Sequence, residues 1–136
     1  MKTNRIYRAL GALAVVGLVA ACSDSPTSPG VQPEITNLVD DFAYQVSDVQ
    51  NYSSTDSYTW QNTGTGASID QSTSLTGGSA TLILLDGAGA QVYSRSLSES
   101  GSFPTASGAA GDWTIRIVYS STVSPAVNFR AQKATP

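Results

Sequence analysis

The 136-residue sequence has no histidine and a single cysteine. Without histidine it lacks the usual general base, the commonest zinc ligand and any Ser-His-Asp or Cys-His arrangement. A lone cysteine, Cys22, can close no internal disulfide, so stability has to come from apolar burial and strand pairing. Basic residues are scarce beyond the N-terminus. Lys2, Arg5 and Arg8 lie there, and Arg95, Arg116, Arg130 and Lys133 face ten acidic residues in the rest of the chain. No basic track is left for a phosphate backbone, so nucleic acid is not an expected partner, and an anionic membrane surface would repel the domain. The apolar run at residues 9–21 has only 13 residues, against the roughly 20 that cross a bilayer.

What is present begins with an export signal. Three basic residues precede the apolar run, which ends Leu18-Val19-Ala20-Ala21-Cys22: a small-residue cleavage site with the cysteine directly after the cut. This stretch closely resembles the lipobox of bacterial lipoproteins. The resemblance implies cleavage before Cys22, a diacylglycerol on its sulfur and a further acyl chain such as palmitate on the new amino group. Cys22 is then a membrane attachment point. One acyl chain binds only marginally, whereas two or three hold firmly at about 0.8 kcal/mol per buried methylene. In enterobacterial lipoproteins, which this start resembles, Ser23 after the cysteine is compatible with outer-membrane export.

Residues 22–34 form the lipidated cysteine and a Ser/Pro-rich segment with almost nothing to bury. Such a segment is an extended tether with a reach of about 30 Å. The signal peptide is 1–21 and the folded domain is expected over 35–136, enough for one modest core.

Within the domain the apolar pattern has period two. Phe42, Tyr44 and Val46 alternate with polar or small residues, as do Tyr58 and Trp60, then Trp113, Ile115, Ile117 and Tyr119, and finally Val127, Phe129 and Ala131. This is the signature of half-buried strands. Turn residues cluster at 62–66, 76–78, 86–89, 98–102 and 107–112, at the spacing of an all-β antiparallel sandwich. The expected fold is jelly-roll-like with about seven or eight strands. One hairpin is specified in detail: residues 80–85 and 90–97 flank Asp86-Gly87-Ala88-Gly89, where Asp86 can cap the turn and Gly89 can take the left-handed conformation. Leu82 and Leu84 fill one face of its first strand, but Ile83 and Leu85 make the other face apolar too, which implies cover by a loop or by a partner.

Candidate functional residues are few. Asp40 and Asp41 are adjacent and point to opposite faces of a strand, so they cannot share a substrate. The remaining acids fall at turns, where capping explains them. The metal reading is a structural calcium held by Asp86 and Asp112, and no other cofactor is implied. The glycines precede strands instead of helices, so phosphate cradling has no support. Among the aromatics, Trp113 and Tyr119 lie in phase with aliphatic residues and read as core. Tyr58 and Trp60, with polar neighbours, also read as core first, and they are the candidates for a sugar-stacking platform as the alternative.

Gly77-Gly78-Ser79-Ala80-Thr81-Leu82, then Asp86, Gly89 and Val92-Tyr93, and Gly111-Asp112-Trp113-Thr114-Ile115 resemble the small β-sandwich modules of secreted bacterial proteins, such as the pre-peptidase C-terminal type. The likeness spans residues 77–119 and implies a fold. The resulting expectation is a non-catalytic, lipid-anchored envelope protein whose sandwich binds another envelope protein or a polysaccharide. A purely structural lipoprotein without ligand affinity is the alternative, and an accessory domain of a hydrolase system ranks last.

Overall fold

A computed structural model describes residues 31–134. Cys22, the export signal and residues 22–30 of the tether lie outside the described residues. Seven strands follow in order: β1 (Glu34–Leu38), β2 (Asp41–Asn62), β3 (Ala67–Gln71), β4 (Gly77–Leu85), β5 (Gln91–Ser96), β6 (Gly101–Pro104) and β7 (Gly111–Lys133). All pair antiparallel, and the described residues contain no helix.

Two strands are much longer than the periodicity indicates. The runs at 42–46 and 58–61 are both part of β2, and those at 113–119 and 127–131 are both part of β7. No glycine or proline interrupts residues 47–57, so the chain kinks there without turning back. Asp48 (φ 61°) and Asn51 (φ 47°) take left-handed conformations, which their short polar side chains tolerate. The register shifts between Val49 and Tyr52 and again between Tyr52 and Ser54. In β7 the matching kink has Ser121 at φ 46°. Pro125, which has no N–H to give a ladder, sits exposed beside Ser124, whose hydroxyl accepts from Ala126 N at 3.1 Å and donates to Ala126 O at 2.9 Å.

The long ribbon thus bends in the middle and its two halves face each other. The first half of β2 and the second half of β7 extend into a β1-β2-β7-β3-β6 layer, while the other halves extend through β4 to β5. The layers meet through Tyr44 Oη and Tyr119 Oη, 2.6 Å apart, and through Tyr93 Oη, which donates to Gln71 Oε1 at 2.8 Å. The fold is therefore all-β, antiparallel and sandwich-like, and it is not a closed barrel. One apolar cluster fills it, with Phe42, Tyr44 and Phe129 from the first layer against Trp60, Trp113, Ile115, Ile117, Leu82 and Leu84 from the second. Each such side chain contributes about 1.5–3 kcal/mol on burial.

The kink constrains a glycine. Gly78 has φ +66°, and a Cβ there would stand 2.0 Å from the Ser121 carbonyl oxygen, so β4 can cross the bulge of β7 only where a side chain is missing. The 86–89 hairpin turn is as read from sequence: Gly89 has φ 88°, and the register shifts beside it, between Leu84 and Leu85. On the outer face of β4, Ile83 and Leu85 are half-buried. Arg116 stands opposite Ile83 in the β7 register, where an arginine stem can cover apolar surface while its head stays wet.

Candidate functional site

Beyond its bulges β2 returns to strict alternation, which puts Tyr52, Ser54, Asp56, Tyr58, Trp60 and Asn62 on the inner face. Trp60 and Asn62 are buried, and the four before them are half-buried. The difference comes from β1. Near Trp60 the end of β1 closes the side of the sandwich: Asn37 Nδ2 donates to Thr59 O at 2.9 Å, Trp60 Nε1 to Leu38 O at 3.0 Å, and Asp40 N to Gln61 O at 2.9 Å. Toward the bend no such side-chain link from β1 is present among the described residues, and the inner-face side chains of β2 from Tyr52 to Tyr58 stay partly exposed, which we read as a lateral opening. Ile35 of β1, in register with Tyr44, is 36% exposed.

The opening is aromatic with one carboxylate. The Tyr58 ring lies 5.9 Å from Phe42 and 6.0 Å from Tyr44, and Tyr52 stands edge-on to Tyr119 at 4.9 Å. Asp56 accepts hydrogen bonds from Ser54 Oγ at 2.7 Å and from Tyr52 Oη at 3.1 Å. Burial first, and then the negative charge of Asp56, push the Tyr58 phenol above its ordinary range. Burial first, and then neighbouring Tyr119, raise the Tyr44 phenol, while burial raises Tyr119 against the opposing hydrogen bond from Tyr44, with Asp56 adding to the rise. These tyrosines are therefore neutral rings and hydroxyls at physiological pH. The ion pairs among the described residues are Arg95–Glu99, Arg130–Asp41 and Lys133–Asp40, none of which involves Asp56. Sequence reasoning missed Asp56, although its phase with Tyr58 and Trp60 places it on the same face.

Of the residues singled out from sequence, Tyr58 is at this opening. Trp60 is not available for stacking, which corrects its place in the sugar platform. It is 0% exposed, its ring meets Trp113 edge-on at 6.0 Å, and its N–H is used by Leu38. Cys22 lies outside the described residues. Asp112 is exposed on β7 opposite Gln61.

Asp86 is 6% exposed, and its oxygens are taken by backbone amides: Oδ1 accepts from Ala88 N and Ala90 N at 2.9 Å each, and Oδ2 from Ala109 N at 2.8 Å. It ties the β4–β5 turn to the segment before β7. The Ala109 amide, followed by those of Ala90, Ala88 and Gly89, holds its carboxyl below the ordinary carboxylate value. A group whose folded pKa is lowered stabilises the fold above the unfolded pKa and loses that contribution as acid protonates it. Asp86→Asn should therefore lower the melting temperature at neutral pH, and the gap to wild type should narrow as pH falls through the acidic range. A gap independent of pH would contradict the capping role. Calcium should leave the wild-type melting temperature unchanged, because the Asp86 oxygens already have partners; a rise of several degrees would restore the metal reading. Among the described residues no three Asp, Glu, His or Cys side chains converge.

A cleft of about 440 Å³ lies among Gly64, Gly66, Pro104, Thr105 and Lys133. Its cation is occupied: Lys133 Nζ donates to Thr63 Oγ1 at 3.0 Å and lies 3.5 Å from Asp40. The chain matches no protein-family model and no curated protein.

Proposed function

We propose that this chain is a non-catalytic, lipid-anchored envelope protein, held in the outer membrane by acyl chains on Cys22, whose sandwich binds a protein partner. The observation that carries the reading is where the exposed large apolar residues lie. Ile35 (36%), Leu38 (59%) and Val39 (56%) are the ones exposed among the described residues, and all three fall on β1 or the turn after it. Sheet edges are usually guarded by proline, by charge or by brevity. Strand β6 is four residues long and ends in Pro104, and β5 carries Arg95 over the Phe103 ring at 3.8 Å. Strand β1, five residues long and all exposed, has its one charge in Glu34 at its start, and from Ile35 to Leu38 it carries no charge, no proline and an unbroken register. An unguarded edge of this kind suits pairing with an added strand.

Two further features support a binding role over catalysis. Three of the acids are individually committed: Asp41 to Arg130 at 2.8 and 2.9 Å, Asp40 to Thr63 at 2.7 and 2.8 Å, and Asp86 to its turn. With Trp60 in the core, a saccharide platform keeps only Tyr58 of its two named residues. The test is a photo-crosslinking residue placed at Leu38 or, as a control, at exposed Ser94 in the intact envelope. A discrete adduct from position 38 that is missing from position 94 is expected. No adduct from position 38, or the same adducts from both, would refute partner binding at β1.

A further inference from the structure

We infer that the lateral opening beside β1 is a receptor for a cation, and that it takes a lysine or arginine side chain presented by an extended segment of a protein partner. This rests on the protein-binding reading above and says what the partner must carry. Three observations lead to it. First, Asp56 has hydrogen-bond donors in Tyr52 and Ser54 but pairs with no cation among the described residues. A carboxylate offers about four acceptor sites, so two bonds leave it able to accept more. Second, the half-buried rings beside Asp56 are those of Tyr52 and Tyr58, packed against buried Tyr119 and Tyr44, and an ammonium or guanidinium over such a ring is attracted by its quadrupole, more strongly as water is excluded. Third, beyond the signal the chain is acidic, with four basic residues against ten acidic ones. Its field attracts a basic segment and repels an acidic one.

The opening also lies where an added strand can reach it. Ile35 is in register with Tyr44, whose ring stands 6.0 Å from Tyr58, so the rim of the opening belongs to the unguarded strand itself. A segment that pairs along β1 has side chains at every second residue directed toward the inner face of the sandwich. One long basic side chain among them reaches toward Asp56. Main-chain pairing would provide the docking and Asp56 the choice of residue. A neutral saccharide could stack on Tyr58 but would leave the charge of Asp56 without a counterpart, which is why the cation is favoured.

The test uses the mature lipoprotein in neutral detergent micelles and two fluorescent, end-capped peptides of sequence Thr-Val-Lys-Val-Thr, one with free lysine and one with Nε-acetyllysine. Wild type should bind the free-lysine peptide about tenfold more tightly, a difference equal to about 1.4 kcal/mol, and the preference should shrink as salt screens the charges. Asp56→Asn keeps the size of the side chain and an oxygen to accept from Ser54, and it should bind both peptides equally. Tyr58→Leu should weaken the free-lysine peptide more than the acetylated one. Equal binding of the two peptides to wild type overturns the proposal without need of any variant, as does a preference that survives in Asp56→Asn. Binding of N-acetylglucosamine oligomers with no binding of either peptide would overturn it in favour of a polysaccharide. If the adduct from position 38 persists unchanged in Asp56→Asn while the peptides bind alike, the cation site falls and the partner-binding reading stands. If position 38 gives no adduct at all, the reading itself falls.

Discussion

Trp113→Ala should leave the domain unfolded or close to it, and Trp60→Ala should be nearly as damaging. Both indoles are 0% exposed, and each supports the other edge-on at 6.0 Å. Each N–H also fastens a neighbouring segment: Trp113 Nε1 donates to Ala109 O at 2.8 Å, before β7, and Trp60 Nε1 to Leu38 O at 3.0 Å, at the end of β1. Truncating a buried tryptophan costs about 3–5 kcal/mol, against the roughly 5–15 kcal/mol that holds a small domain together. The double mutant should cost less than the sum of the singles, because either truncation alone destroys the shared contact. Urea melts followed by far-ultraviolet circular dichroism will measure all three. A Trp60→Ala protein with the wild-type midpoint would mean that Trp60 does not belong to the core.

The other large effect concerns the anchor. Cys22 is the chain's one thiol and directly follows Ala20-Ala21, so Cys22→Ala should abolish labelling by a radioactive fatty acid. Once its signal is removed, the mutant should also move from the detergent phase to the aqueous phase. Because membrane affinity accumulates at about 0.8 kcal/mol per buried methylene, loss of the chains is expected to act as an all-or-none change. Equal labelling of mutant and wild type would end the lipoprotein assignment.

Much of the sandwich was legible because its signals are local. The alternation from Trp113 to Tyr119 and the Asp86–Gly89 turn need only a few consecutive residues, and both are present as read. The continuity of β2 and β7 was not legible. It depends on Asp48, Asn51 and Ser121 adopting left-handed conformations that only the facing strand makes worthwhile, and Pro125 argues locally for a break. The short strands β1, β3 and β6 carry weak patterns and exist through pairing: β3, for instance, lies between β7 and β6. Trp60 read as core with a surface platform as its alternative, because its neighbours in sequence are polar. Its N–H partner is the Leu38 carbonyl, 22 positions away, and its ring packs on Trp113, at distances that periodicity does not see. Asp56 was overlooked for the converse reason, since an acid among serines suggests solvent until the parity of the strand is counted.

The long ribbon also sets an order of events in time. Strand β2 emerges early and β7 last of the seven, yet they are each other's main partners, with Asp41 bonding Arg130 across 89 positions. Until β7 is available, β2 has only β1 beside it and β4 only β5, and isolated hairpins are marginal in water. Contacts this distant in sequence slow folding, because the loop between them must be closed before they form. For the exported lipoprotein proposed above, such a delay would be useful: the topology would withhold the native core until the last of these strands had crossed.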